Sequence, residues 1–171
     1  MEEQYDESYA TCGPRHYYIL PFVSVGVVSI CTIAFPSDFG EWYDRLKKSS
    51  LNPHRHVFKR VWFMVYLMLT LAIMYIYMET QRARALAPLF FLQLIFNVLW
   101  APLFTHARAF FIALVDLCIT IVLTLTLLIR TFQVGEYTLA WFVFVPYLSW
   151  LCCASYLNLV VVRNNSTSWI S

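Results

Sequence analysis

The chain has 171 residues, 60% of them hydrophobic and 13% charged, with a net charge of +2. Soluble domains average roughly 45–50% apolar and about 25% charged residues, so this composition excludes an ordinary soluble fold. A charge of +2 divided between two membrane faces gives no reason to expect nucleic acid.

The charges are clumped and leave stretches that reach the roughly 20 residues a helix needs to cross a bilayer core of about 30 Å. Five such spans are read, at about 17–35, 57–79, 85–104, 108–130 and 137–162. The predicted architecture is an all-α integral membrane bundle of five transmembrane helices, a single domain at 17–163. An acidic tail, 1–16, precedes it and a short polar tail, 164–171, follows.

The first tail carries Glu2, Glu3, Asp6 and Glu7 against Arg15. It lacks the basic region of a signal peptide and the arginine-rich character of a transit peptide, so the first span is expected to be retained. Tyr17 and Tyr18 suit an interfacial anchor, and Pro21 is tolerated in a first turn. The loop from Pro36 to Arg60 concentrates Arg45, Lys47, Lys48, Arg55, Lys59 and Arg60. With five spans it shares a side with Arg108 and Arg163, giving eight basic residues there, against four at Arg15, Arg82, Arg84 and Arg130. The positive-inside rule then predicts a cytosolic first loop and C-terminus. The loop reads either as a solvated, headgroup-facing cluster or as a docking patch for lipid or protein.

The second span holds Trp62 and Tyr66 near one end and Tyr75 and Tyr77 near the other, the usual pattern of headgroup anchors. Trp62 has a second reading, as a ring facing the bundle. The short link Glu79–Arg84 makes spans two and three antiparallel neighbours. In span three, Gln93, Asn97 and Trp100 are four and three residues apart and share one helical face, which in lipid has to look inward. Asp116 in span four costs a few kcal/mol on insertion scales unless turned inward. It reads either as a structural hydrogen-bonding group or as a ligand or proton site. In span five, Pro146 frees a carbonyl and is expected to bend the helix and open space beside it. Tyr147, Trp150, Cys153, Ala154, Leu157 and Asn158 make a second stripe there. Such a stripe fits a flat, apolar ligand, or equally tight helix packing with Ser149 and Cys153 as small interface residues.

The five cysteines and four histidines show no metal-ligand spacing, and four glycines cannot build a phosphate-cradling loop, so neither metal nor cofactor is expected.

Several of these residues resemble, in order and spacing, the translocator protein family, also called the peripheral benzodiazepine receptor or tryptophan-rich sensory protein family. The similar stretches are Trp42-Tyr43-x-x-Leu46-x-Lys48 in the loop and Val61-Trp62 with Tyr66 and Leu67 in span two. Gln93-Leu-x-x-Asn97-x-x-Trp100-x-Pro102-x-Phe104, Ala107-Arg108 and Ala113-Leu114-x-Asp116-Leu117 follow in spans three and four. Pro146-Tyr147-Leu148-x-Trp150-Leu151, Ala154, Leu157-Asn158 and Arg163-x-Asn165 complete the fifth. The resemblance covers about Trp42 to Asn165.

The resemblance implies a five-helix bundle, often a homodimer, that binds cholesterol, tetrapyrroles such as protoporphyrin IX and benzodiazepine-type drugs in a pocket roofed by the first loop. It implies pocket roles for Trp62, Asn97, Trp100, Ile112, Asp116, Trp150, Ala154 and Leu157. The family's sterol motif falls at Leu157 and Arg163, with Leu159 where a tyrosine is expected. The loop departs from the family pattern at Ser49, Leu51 and Pro53-His54, the fourth span has Ile112 in place of an aromatic residue, and the first span keeps only Gly26.

Three functions follow as expectations. The first is binding of lipophilic ligands, tetrapyrrole or sterol, with a role in transport or sensing. The second is light-dependent tetrapyrrole degradation using Trp62 and Trp150. The third is a membrane scaffold or regulatory protein with a degenerate pocket, which associates through the basic loop. Membrane lipids and a second copy of the chain are the other expected partners. The resemblance points to the mitochondrial outer membrane in animals and to other membranes in other lineages.

Overall fold

The computed structural model describes residues 40–78 and 85–165. A short helix, α1 (Gly40–Arg45), lies in the first loop. It is followed by α2 (Arg55–Met78), α3 (Ala87–Thr105), α4 (Phe110–Val134) and α5 (Tyr137–Asn165). Among the described residues these last four are long and apolar enough to cross a membrane. The predicted first span, with Tyr17, Tyr18 and Pro21, lies outside them, as does the Glu79–Arg84 link. The protein is an all-α membrane bundle.

Helix boundaries follow local chemistry. α3 starts with Pro88 in its first turn, where a missing N–H removes no helical bond. α4 stops at Gly135, which takes φ 87°. Its own N–H and that of Glu136 then return to the last carbonyls, Glu136 N–H donating to Thr131 O at 3.0 Å. Only glycine adopts that left-handed turn without strain. Glu136 also accepts from the Tyr75 hydroxyl at 2.8 Å, which ties the far end of α2 to the α4–α5 turn.

α4 is the central helix, packed between α3 and α5, while α2 rests on α3 and on the first part of α5. Its inner stripe reads Ala113, Asp116, Leu117, Thr120, Thr124, Leu127, Thr131, all buried. The threonine hydroxyls are largely spent on the helix itself, Thr120 donating to Asp116 O at 2.9 Å and Thr131 to Leu127 O at 2.6 Å. The opposite face, with Phe111, Val122 and Ile129, is exposed, as lipid contact requires.

α5 is not uniform. Between Tyr137–Leu139 and Val145–Asn165 it widens into a π-helical turn, Ala140–Phe144, in which Val145 N–H reaches back to Ala140 O. Pro146 follows immediately. A prolyl nitrogen cannot donate and its ring crowds the carbonyl of the preceding turn, and the wider turn relieves both constraints. The helix that Pro146 was expected to bend is thus irregular at the turn before it, and Tyr147, next in the chain, is buried at 1% exposure.

Candidate functional site

Three tryptophans from three helices meet at the loop end of the bundle. Trp62 of α2 stacks on Trp100 of α3 at 5.6 Å between ring centroids, with 20° between planes, and meets Trp150 of α5 edge-on at 6.2 Å. Phe58, one turn before Trp62, touches Trp62, Trp100 and Trp150 at 5.6–6.2 Å. The series continues through Phe104 and Phe110 to Trp42 of α1. Each such pair contributes about 0.5–1.5 kcal/mol beyond its buried area, so the rings hold one another in place. Trp62 and Tyr66 are each 2% exposed: of the two readings of Trp62 the bundle-facing one holds, and Tyr66, expected as a headgroup anchor, faces the bundle as well.

Beneath the tryptophans lies a polar cluster. The Tyr147 hydroxyl donates to Gln93 Oε1 at 2.9 Å and accepts from Asn97 Nδ2 at 2.7 Å. Gln93 and Asn97 occupy the inward face of α3 that their spacing predicts, and both are fully buried. Asp116 is buried as well and lies within electrostatic reach of Tyr147. Among the described residues neither oxygen of its carboxylate has a hydrogen-bond partner, and the same holds for Gln93 Nε2 and Asn97 Oδ1. The cluster keeps unused donors and acceptors inside an apolar bundle.

The first loop closes this end. Asn165, the last residue of α5, accepts from Lys47 N–H at 3.1 Å and donates to Lys47 O at 3.2 Å, pairing with the loop as a neighbouring strand would. It also donates to its own helix at Val161 O, 2.8 Å. Lys48 ammonium donates to Tyr43 O at 2.7 Å, and Leu46 is buried. The loop and the end of α5 therefore lie on one side of the membrane. Asn158 Nδ2 donates to Phe110 O at 3.0 Å and joins α5 to the start of α4 just below.

Between loop and tryptophans remains a void of about 30 Å³, bounded by Tyr43, Asn52, Phe58, Trp100, Ala154 and Leu157, among others. That is room for about one water, whereas drug-sized ligands occupy about 300–1,000 Å³. Among the described residues the space between loop and tryptophans is thus taken up mainly by the aromatic rings themselves.

Of the residues singled out from sequence, Trp62, Asn97, Trp100, Asp116, Ala154 and Leu157 are buried, and Trp150 is half-buried against the same core. Ile112 is not brought to the site. It precedes the wholly buried Ala113 and so lies roughly 100° round the helix, 56% exposed. Leu157 and Arg163 likewise do not form one sterol-binding face, the first being interior and the second exposed, roughly 120° apart on the helix. Cys153 and Ser149 are exposed rather than packed at an inner interface. Phe58 was not singled out from sequence, Tyr147 was read only as part of the span-five stripe, and Asn165 only as part of the family motif. Phe58 and Tyr147 stand four and three residues from Trp62 and Trp150, a helical spacing that marks a shared face.

Comparison with known proteins identifies the family. The TspO/MBR family matches residues 18–163. The tryptophan-rich sensory protein of Cereibacter sphaeroides is 35% identical over 125 residues, covering 73% of this chain and 77% of that protein. The translocator protein of Homo sapiens is 32% identical over 128 residues, 72% and 75% of the two chains. The tryptophan-rich protein TspO of Bacillus cereus is 26% identical over 148 residues, 86% and 95%. With the match running through every described membrane helix and through the tryptophans at their meeting point, the chain belongs to the TspO/MBR family.

Proposed function

We propose that the protein binds a flat, lipophilic ligand of the tetrapyrrole class among Trp62, Trp100 and Trp150, beneath the first loop, and serves its transport or sensing in the membrane. The observation that carries this reading is the convergence of three indole rings from α2, α3 and α5 within 5.6–6.2 Å. Planar π faces of that size suit a planar macrocycle, and the unused polar atoms of Gln93, Asn97 and Asp116 lie deeper to orient its polar groups. The eight basic residues at the loop end favour placing that end in the cytosol, and likeness to the translocator proteins of Sus scrofa and Homo sapiens is the ground for proposing the mitochondrial outer membrane as the compartment. A sterol is the weaker candidate, because Leu157 and Arg163 face different surroundings.

The test is a protoporphyrin IX titration of the full chain in lipid nanodiscs, following tryptophan fluorescence in the dark. Saturable quenching is expected, and Trp150→Phe is expected to weaken binding about fivefold to tenfold, the loss of one aromatic contact. Absence of saturable quenching would overturn the proposal. The 6.2 Å contact of Trp62 with Trp150 favours a second reading, photochemical degradation of the bound macrocycle. Loss of porphyrin absorbance under light, suppressed in Trp150→Phe, would place degradation ahead of transport.

A further inference from the structure

A groove of about 380 Å³ runs along the outside of the bundle between the start of α4 and the end of α5. Its walls are carbon: Ala109, Phe110, Phe111 and Ile112 on one side, Val161 and Val162 on the other. Phe111 and Ile112 are 66% and 56% exposed, so the groove opens to lipid. Two polar residues line its outer end. Asn165 is occupied with Lys47 and Val161. Arg108 is exposed, held at φ 53° in the α3–α4 turn with its guanidinium over the Trp42 ring at 5.0 Å.

The charges around that end are unbalanced. Glu41 and Asp44 lie within 3.0 and 3.9 Å of Arg45 and Lys48, and the first turn of α4 contains no acidic residue. Among the described residues no carboxylate is within ion-pair distance of Arg108. Lys47, whose backbone bonds to Asn165 at the groove rim, adds a second exposed cation. The groove thus presents an apolar channel parallel to the lipid chains with positive charge at the headgroup end. A zwitterionic headgroup would bring its own cation against these.

From this charge complementarity we propose that the groove is a specific site for one anionic phospholipid, its phosphate-bearing head on Arg108 and Lys47 and one acyl chain along α4 and α5. The site opens on the lipid face of the bundle and adjoins the tryptophan cluster, sharing Val161 with the void beneath the loop and Phe110 with the aromatic series.

The experiment uses the full chain in nanodiscs of equimolar phosphatidylserine and phosphatidylcholine, transferred to mild detergent and weighed intact with its retained lipids. One retained phosphatidylserine per chain is expected, favoured about 25-fold over phosphatidylcholine, about fivefold for each of the two cations near the surface. Arg108→Gln is expected to reduce the preference to about fivefold, the share of Lys47, and Val162→Trp, which fills the channel, to remove the retained lipid. Arg130→Gln, at the opposite membrane face, is expected to behave as the parent. Equal retention of both lipids by the parent, or an unchanged preference in Arg108→Gln, would overturn the proposal. So would a dimer that carries no lipid, or displacement of the lipid by protoporphyrin IX with equal potency in the parent and in Trp150→Phe. The tryptophan-cluster reading fails by a different result, absence of saturable porphyrin quenching in the parent, and Arg108→Gln is expected to leave that quenching unaffected.

Discussion

Asn165 and Tyr147 show how single side chains fix this end of the molecule. Asn165 replaces a backbone pairing partner for Lys47, so Asn165→Leu removes two hydrogen bonds that hold the loop. It is expected to cost about 1–3 kcal/mol and to raise amide exchange across residues 45–52, while α4 exchange stays unchanged. Unchanged loop exchange would mean that Trp42 and Leu46 hold the loop alone. Asn165 is also half of a double glycosylation sequon, Asn164-Asn165-Ser166-Thr167. Its buried, fully engaged amide leaves no room for a glycan, whereas Asn164 is exposed. Tyr147→Phe keeps the ring and leaves Gln93 Oε1 and Asn97 Nδ2 without their shared partner. Bonds of this kind inside membranes contribute about 0.6 kcal/mol each and up to about 1.7, so a loss of about 1–3 kcal/mol in unfolding free energy in detergent is expected.

The element that departs most from a regular helix is α5. Its π turn at Ala140–Phe144 and the following Pro146 are one feature, since the wider turn places Val145 N–H on Ala140 O and spares the proline a clash. Pro146→Ala restores a donor and removes the ring, so the turn is expected to tighten into α-helix. Because a π turn inserts one residue, tightening rotates one half of α5 against the other by roughly 100°. The expected signature is higher amide protection at residues 143–146 together with loss of the Tyr147 bonds to Gln93 and Asn97. Protection that does not change would show that packing, not the proline, sustains the π turn.

At the scale of the whole molecule, the Asn165–Lys47 pairing places the first loop and the end of α5 on the same side of the membrane, opposite Arg130 and Glu136. Lys47→Cys and Arg163→Cys are expected to react with an impermeant thiol reagent from one side of sealed vesicles and Arg130→Cys from the other, in a background lacking the native cysteines. Labelling of Lys47→Cys and Arg163→Cys from opposite sides would contradict the bundle itself. The proposed ligand site has a consequence at this scale too. With a void of about 30 Å³ among the described residues beside the tryptophans, the proposed binding of a macrocycle has to move several rings together, so its association is expected to be slow relative to diffusion.

Composition and spacing by themselves determined that the chain lies in lipid, where its described spans run, and that Gln93, Asn97, Trp100 and Asp116 look inward. The reason is that hydrocarbon tolerates neither uncompensated backbone nor outward polar groups, so length and polarity map directly onto depth and facing. Tertiary structure alone decided which residues meet. Helical spacing places Ile112 only one turn from Asp116, yet the orientation of α4 between α3 and α5 sends one to lipid and the other to the core. The same holds for Trp62, which as a lone aromatic near a membrane end was equally an anchor, until Trp100 and Trp150 from other helices surrounded it. It holds for the groove beside Arg108, which exists only because α5 ends against the start of α4. A one-dimensional pattern carries the phase of each helix, but the rotation of one helix against another is set by side-chain packing, which no single segment contains.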